Sequence, residues 1–380
     1  MKRDYYVLQW KKLNRNMSAL EHAITALNEA KKRDSNEYKR LAVKIMQIVG
    51  HPHLAYLWFA ASKEEARQAN NKPLERRVSR VVNAIRDAWQ EVLPYTTNVI
   101  PDTFRFVPDV EDEEKFIYLP LYSFALRIPF QLEKPYISRD DVDFYLLDSP
   151  LRKEKIFKVP MVASTSWKGA LRAALWQLGY EEDNEIIIRL LGNPRESDEG
   201  QAGRLHFYPT FFDKISLEVI NPHSRETGVG ERGPILMECV PRETTGILQI
   251  LYVPFGRPDQ NERERRAEVA GDLEILAEGV HAMLTTYGLG AKTSSGFGTV
   301  GDQLAGRGVF ALRATLTDAE VPPVDVSLLP IEANHLEPKP EAVPQSTETS
   351  HVSKWVFTTL GELRQVAQRV AAQLQEGGVT

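Results

Sequence analysis

Apolar positions recur every three to four residues through the first quarter of the chain, and from about residue 118 the period shortens to two. Helical spacing of Ala19, Leu20, Ala23, Ile24 and Leu27 predicts a helix over 18–32, with Ser18 and Glu21 as a capping box. A second helix is expected over 37–49, ended by Gly50, and a third over 53–70. In a fourth, over 74–93, Val78, Val81, Val82, Ile85, Ala88, Trp89 and Val92 form one stripe, while Arg76, Arg77, Arg80 and Arg86 stay off it. Residues 1–95 therefore read as a helical module with a basic exterior.

Residues 96–116 are acidic and punctuated by prolines, which marks a domain boundary. Strand-like alternation follows over 118–132, then a helix from about Trp167 to Leu178, a short helix over 185–191, and an aromatic strand over 204–212. Strands within 216–256 are interrupted by the excursion S-R-E-T-G-V-G-E-R-G-P (224–234), which reads as a hairpin tip. A helix is expected over 261–287, with Val269, Leu273, Leu276, Val280 and Leu284 on one face, and a last strand over 309–316. Six prolines with Ser, Glu and Thr make 319–350 a linker, and a helix over 359–375 with a Thr359/Glu362 capping box ends the chain. The division is a helical module (1–95), a connector (96–116), a mixed domain (117–318), a linker (319–350) and a C-terminal helix (351–380).

Charge sharpens this division. The net charge is −5, yet residues 1–98 hold 18 Lys+Arg against 10 Asp+Glu, which leaves −13 for the remainder. A basic segment in an acidic chain is a footprint for a polyanion or a docking face for an acidic partner, and an arginine-rich helix face is more often just a solvated surface. One cysteine, Cys239, excludes an intrachain disulfide and a cysteine-based zinc site, and its strand-like setting suggests a buried, inert thiol. His51 and His53 have no carboxylate or cysteine placed to complete a metal site. No stretch reaches the roughly 18 apolar residues a membrane helix needs, and the N-terminus lacks a signal-peptide core. A cytoplasmic protein with no membrane partner is expected.

Two stretches carry candidate chemistry. In G-L-G-A-K-T-S-S-G-F-G, Gly288, Gly290, Gly296 and Gly298 permit positive φ, and Lys292, Thr293, Ser294 and Ser295 offer donors to phosphate oxygens. The loop follows a helix, so it is not a Rossmann fingerprint, and Ala291 before Lys292 departs from a P-loop. A helix C-cap and a tight turn explain half of its glycines without a ligand. In V-A-S-T-S-W-K-G-A-L-R, Ser164, Thr165 or Ser166 is a candidate N-cap, and Lys168 and Arg172, four apart, could meet one phosphate backbone. The alternative is a capped amphipathic helix with two solvated cations.

Taken with L-L-G-N and A-G-R-L-H-F (190–207), these stretches resemble, in order, the serine-lysine, GRLxF and glycine-rich elements of the RAMP superfamily of CRISPR-associated proteins. The resemblance covers about residues 115–316, roughly half the chain. It implies an α+β, modified ferredoxin-like (RRM-type) RAMP domain, here with an N-terminal helical module and a C-terminal linker plus helix. It implies a backbone-type subunit of a type III effector complex. That subunit would bind guide CRISPR RNA and target RNA beside other RAMP-family subunits and the large subunit. Phosphate contacts are then expected from Ser164, Thr165, Ser166, Lys168, Arg172, Arg152, Arg225, Gly288, Gly290, Lys292, Thr293, Gly296 and Gly298.

In the cleaving members an aspartate precedes the serine-lysine element, and Asp148-Ser149-Pro150-Leu151-Arg152 resembles that context. The resemblance implies an endoribonuclease, with Asp148 cutting target RNA and divalent metal (Mg or Mn) held at the cut. Asp-Ser-Pro is equally ordinary turn chemistry. The family's thumb hairpin is expected within 215–240. The usual Gly-Ser-Ser is Ser164-Thr165-Ser166 here, a departure from the pattern. Other readings stay open: a non-cleaving capping or scaffold subunit, a guide-processing nuclease using His206 or His223, and a scaffold that binds no nucleic acid.

Overall fold

A computed structural model describes residues 17–30, 36–50, 52–92, 95–96, 116–140, 149–155, 158–193, 200–220, 235–255, 260–313 and 352–376. The stripe on the fourth helix is what builds the N-terminal module. Helices α1 (Met17–Glu29), α2 (Asn36–Val49), α3 (Pro52–Gln68) and α4 (Lys72–Val92) close over Leu27, Tyr38, Ile45, Val81 and Ile85. Arg76, Arg77 and Arg86 face solvent as expected. Arg80 does not: its guanidinium bonds the Asn28 carbonyl at 3.1 Å and that of Ala30, satisfying the C-terminus of α1. Ser18 lies inside α1, with its hydroxyl 3.5 Å from His22 Nδ1, so it does not cap from outside the helix.

The mixed domain follows as β1 (Tyr95–Thr96), β2 (Phe124–Gln131), β3 (Met161–Val162), α5 (Ser164–Gln177), α6 (Glu185–Leu191) and β4 (Leu205–Phe207). Then come β5 (Thr210–Phe211), β6 (Lys214–Ile220), β7 (Ile235–Cys239), β8 (Thr245–Tyr252), α7 (Glu262–Ala282), β9 (Gln303–Arg313), β10 (Val352–Thr359) and α8 (Leu360–Glu376). Five strands form one antiparallel sheet in the order β10-β9-β2-β8-β4. Setting β10 aside, the chain runs β2-α5-β4-β8-α7-β9 with strand order β9-β2-β8-β4, which is ferredoxin-like topology.

The period-two pattern explains which face of the sheet takes the helices. Phe124, Leu126, Ile128 and Phe130 are buried against Trp167 and Leu171 of α5 and Leu273, Leu276 and Val280 of α7. Phe124 stacks on Tyr252 with ring centroids 4.3 Å apart, and Trp167 meets the Phe130 ring edge-on at 5.9 Å. Each such buried side chain is worth about 1.5–3 kcal/mol of transfer free energy. The first strand starts at Phe124 and not near 118, because a turn with Tyr122 at φ 66 intervenes.

The C-terminal segment departs from the expected linker plus helix. Helix α8 is present, but β10 precedes it and pairs along β9, so both belong to the mixed domain. Phe357 packs over Gly308, and α8 lies on α7 through Leu363, Val366 and Val370. Asp302 fixes the corner, accepting from Leu360 N–H at 3.0 Å and Gly361 N–H at 2.9 Å. Val352, Val356, Thr358 and Thr359 give this strand β-branched content, but its residues do not alternate apolar with polar, and the prolines upstream masked it.

Strands β6 and β7 form a ribbon with Ile220 opposite Ile235, and β1 adds to its β6 edge. The expected thumb falls on this ribbon; its tip, with Arg225 and His223, lies outside the described residues. Among the described residues no helix is long and apolar enough to cross a membrane.

Candidate functional site

Helix α7 ends in a π-turn, Met283–Tyr287, and the chain then reverses through Gly288 at φ 74. Its neighbours, residues 289–299, dock onto the segment that leaves β2. Ala291 N–H donates to Ile137 O at 2.7 Å, Gly298 N–H to Pro135 O at 2.9 Å, and Glu133 N–H to Thr299 O at 2.9 Å. Gly290, at φ 88, is needed for contact as well as for conformation, because a Cβ there would strike the Ile137 carbonyl and the Tyr136 ring. Lys292 takes a left-handed conformation at φ 62, opens a short 3-10 turn over Thr293–Ser295, and is exposed. The turn chemistry expected of these glycines is therefore present, and it presents a lysine and hydroxyls to solvent.

The first helix of the domain forms the facing wall. Ser166, Gly169, Ala170, Ala173 and Gln177 share one face of α5, and their small side chains leave a cleft of about 870 Å³. Thr286, Gly290, Thr293 and Ser294 line its other side, and Ser138, Arg139 and Arg152 complete it. Among the described lining residues there is no carboxylate, so the cleft is lined by hydroxyls, backbone and two guanidinium groups. The N-cap of α5 is Ala163, with no side-chain cap bond, which corrects the assignment of that role to Ser164, Thr165 or Ser166. Residues 163–166 enter the helix directly from β3, so the hydroxyls fall within its first turn.

Lys168 and Arg172 lie on a neighbouring face of α5 and do not line the cleft. Arg172 donates to the carbonyls of Leu191 at 3.3 Å and Gly192 at 3.0 Å, closing the C-terminus of α6. Lys168 is part-buried, and burial, followed by the charge of Arg172, lowers its pKa. Gly296 and Gly298 shape the turn, and neither lines the cleft; a Cβ on Gly298 would collide with Leu289.

The segment before α5 is held from below by β7. Glu238 N–H donates to Ser149 O at 3.1 Å, its carboxylate accepts from Leu151 N–H at 3.1 Å, and Lys153 pairs with it in a fully buried ion pair. Burial lowers the Lys153 pKa, with Glu238 acting in the opposite direction. Arg152 N–H donates to Ser138 Oγ at 2.9 Å, which sets the arginine at the cleft. Asp148 itself lies outside the described residues. Among the described residues no group of three or more His, Cys, Asp or Glu could hold a metal ion. His206 is exposed on β4 and does not line the cleft.

The glycine-arginine stretch is architectural. A Cβ on Gly203 would meet the backbone of Leu190 and Leu191, so α6 and the approach to β4 touch through glycine. Arg204 reaches Tyr252 at 3.0 Å, Glu268 at 2.9 Å and Asp272 at 3.4 Å, while Arg189 grips Asp272 at 2.6 Å. Burial, then Asp272, pushes the Tyr252 phenol up. Sequence reasoning missed Ser138, Arg139, Glu238 and Asp272. An acid inside the apolar stripe of α7 is a legible signal for Asp272; Ser138 and Arg139 carry none, because only the fold brings them to α5.

Residues 144–300 match the family model described as RAMPs, RAMP superfamily. A curated protein of Streptococcus thermophilus, "CRISPR system Cms endoribonuclease Csm3", is 26% identical over 171 residues, covering 40% of this chain and 74% of that protein. Among solved structures, a chain of the Type III-B Cmr-beta complex bound to cognate target RNA aligns with TM-score 0.41 and 14% identity, over 74% of this chain and 96% of that one. A chain of the Csm3-Csm4 subcomplex of a type III-A complex aligns with TM-score 0.37 and 12% identity, over 66% and 98%.

Proposed function

We propose, from the match of residues 144–300 to the RAMP superfamily model, that this chain is a subunit of a type III CRISPR RNA-guided effector complex. It holds guide RNA by the phosphates in the cleft between α5 and the glycine-rich turn, beside other RAMP-family subunits and the large subunit. The observation that carries this reading is the lining: Arg139 and Arg152 face hydroxyls and small residues across a cleft about 870 Å³ in volume. Backbone-directed, charge-driven binding suits a guide whose sequence varies. Lys292 extends the positive rim, and Arg225, outside the described residues, stays in the proposal on its sequence alone. Lys168 contributes charge from the adjoining face of α5.

The same reading assigns target-RNA cleavage to Asp148. Its carboxylate takes the proton of a ribose 2′-hydroxyl; that oxygen attacks the adjacent phosphorus, the 5′-oxygen leaves and is protonated by water, and a 2′,3′-cyclic phosphate remains. The described residues are not a metal-binding set, so no step is routed through an ion; a divalent cation, Mg or Mn, belongs to the proposal as charge at the cut. Support comes from the adjoining residues, since Ser149 is tied to β7 and Arg152 lines the cleft. A second reading, a non-cleaving capping subunit, is favoured by β10, which closes the β9 edge with the chain's own strand.

The assembled complex tests both. Arg152→Ala should weaken guide retention alike for unrelated guide sequences and flatten its salt dependence by about one charge. Asp148→Ala should abolish one defined product while guide and target stay bound, and chelator should do the same. An unchanged product pattern overturns the assignment of Asp148 and leaves the capping reading. Loss of no guide from Arg152→Ala overturns the cleft.

A further inference from the structure

The outer face of α5 carries one side chain that the fold does not use. Trp167, Leu171, Ala174 and Leu175 turn inward and are buried, whereas Trp176 is 62% exposed. Leaving an indole in water forfeits the largest burial gain available to any side chain. The apolar pattern of the helix already fills its core without this residue. Its neighbours on the solvent side are Thr165, Gly169, Ala173 and Gln177, all exposed.

Helical spacing places Trp176 between the two charged flanks of this face. On one side lie Lys168 and Arg172; on the other lies the cleft, bordered by Ala173 and Gln177 and holding Arg139 and Arg152. A helical side chain leans over the turn that precedes it, so the indole covers the stretch toward Gly169 and Ala173, where small residues leave its ring uncovered. The result is a flat aromatic surface, open to solvent, on the helix face beside the cation-lined cleft.

We infer that Trp176 is a stacking platform for a base of the RNA strand whose phosphates occupy the cleft. This rests on the proposed guide-binding reading and adds to it a contact with the nucleobase, which phosphate contacts do not supply. A strand held by its phosphates turns its bases away from the cations, and a base that stacks on an indole needs no hydrogen-bonding code, so the contact tolerates any sequence. Purines, with the larger ring system, stack more strongly than pyrimidines. The positive charge on both flanks matches a polyanion, which selects RNA over an apolar partner surface as the occupant.

The test measures binding of the full-length chain to three single-stranded oligomers of equal length: oligo(A), oligo(U), and a ribose-phosphate oligomer without bases. Trp176→Ala should weaken oligo(A) roughly 5- to 100-fold, oligo(U) by less, and the abasic oligomer by less than twofold. Trp176→Phe should recover much of the loss. Arg152→Ala should weaken all three alike. Oligo(A) affinity within twofold of wild type in Trp176→Ala overturns the platform while Arg152 dependence keeps the cleft. Equal weakening of the abasic oligomer also overturns it, because the indole would then act on the cleft's shape. A wild type that binds none of the three overturns both readings.

Discussion

Two glycines in the same turn differ in one physical respect, and that difference can be measured. Gly290 and Gly296 both hold positive φ, 88 and 81, so alanine at either is strained by about 1–2 kcal/mol. At Gly296 the added methyl meets nothing within 4 Å. At Gly290 it would strike the Ile137 carbonyl, the same oxygen that accepts from Ala291 N–H at 2.7 Å. The turn must then shift away from that oxygen and lose the bond, a further cost of about 0.5–1.5 kcal/mol, beyond any displacement of Tyr136. Gly290→Ala should therefore cost about 1.5–3.5 kcal/mol and Gly296→Ala about 1–2. Urea unfolding of both variants reads the difference. Guide RNA affinity should follow it, since Gly290 lines the cleft and Gly296 does not. Equal stabilities with equal affinities would refute the close-packed turn as the element that sets the cleft.

Three further outcomes are expected. Asp272→Asn removes the buried charge facing the part-buried Arg189 and the buried Arg204 and should cost about 3–5 kcal/mol; a loss below about 1 kcal/mol in calorimetry would contradict a structural role for the network. Cys239 is pushed from 9.0 up to about 12, chiefly by burial, then by Glu218 and Glu238. Its protonated thiol therefore favours the folded state fully below pH 9.0, and that contribution is lost as pH climbs from 9.0 toward about 12. Iodoacetamide at pH 9 should label the unfolded chain quickly and the native one slowly, and equal rates by mass spectrometry would exclude burial. Finally, Arg313 and Val352 are register partners, so replacing residues 314–351 by a four-residue turn should preserve the fold and gain about 2 kcal/mol from the shorter closure. Loss of the cooperative transition would show that the segment does more than connect.

Periodicity was enough for most of the architecture. The four N-terminal helices, α6 to the residue, α7 with its Asn261 start, and the strand-rich centre are all legible, because burial on one face forces a spacing that the chain displays. Strand β10 was hidden because its pairing is decided by an exposed edge of β9 more than three dozen positions away in sequence. Arg80 and Arg172 read as solvated cations, since nothing local reveals that each meets the open carbonyls of another helix. The stretch that resembles the serine-lysine element was found, but its serines were misassigned as caps. Ala163 takes that position because β3 feeds α5 without a turn.

The distinction between motif residues that build and motif residues that present follows from this geometry. Gly192, Gly203 and Arg204 join α6, β4 and α7 through backbone contact and a buried carboxylate, and none of them lines the cleft. The residues free to meet a ligand are those whose backbone is fixed and whose side chains are not enlisted elsewhere, such as Thr293 on the glycine turn. Arg152 meets the same condition, because its amide is anchored on Ser138 while its side chain reaches the cleft. Arg172 fails it, with its guanidinium committed to Leu191 and Gly192. Substituting Arg172 should therefore lower stability by loosening α6, whereas substituting Arg152 should lower RNA affinity at unchanged stability. One motif-bearing stretch of this chain thus holds two kinds of chemistry, and only the hydrogen-bond partners of each side chain separate them.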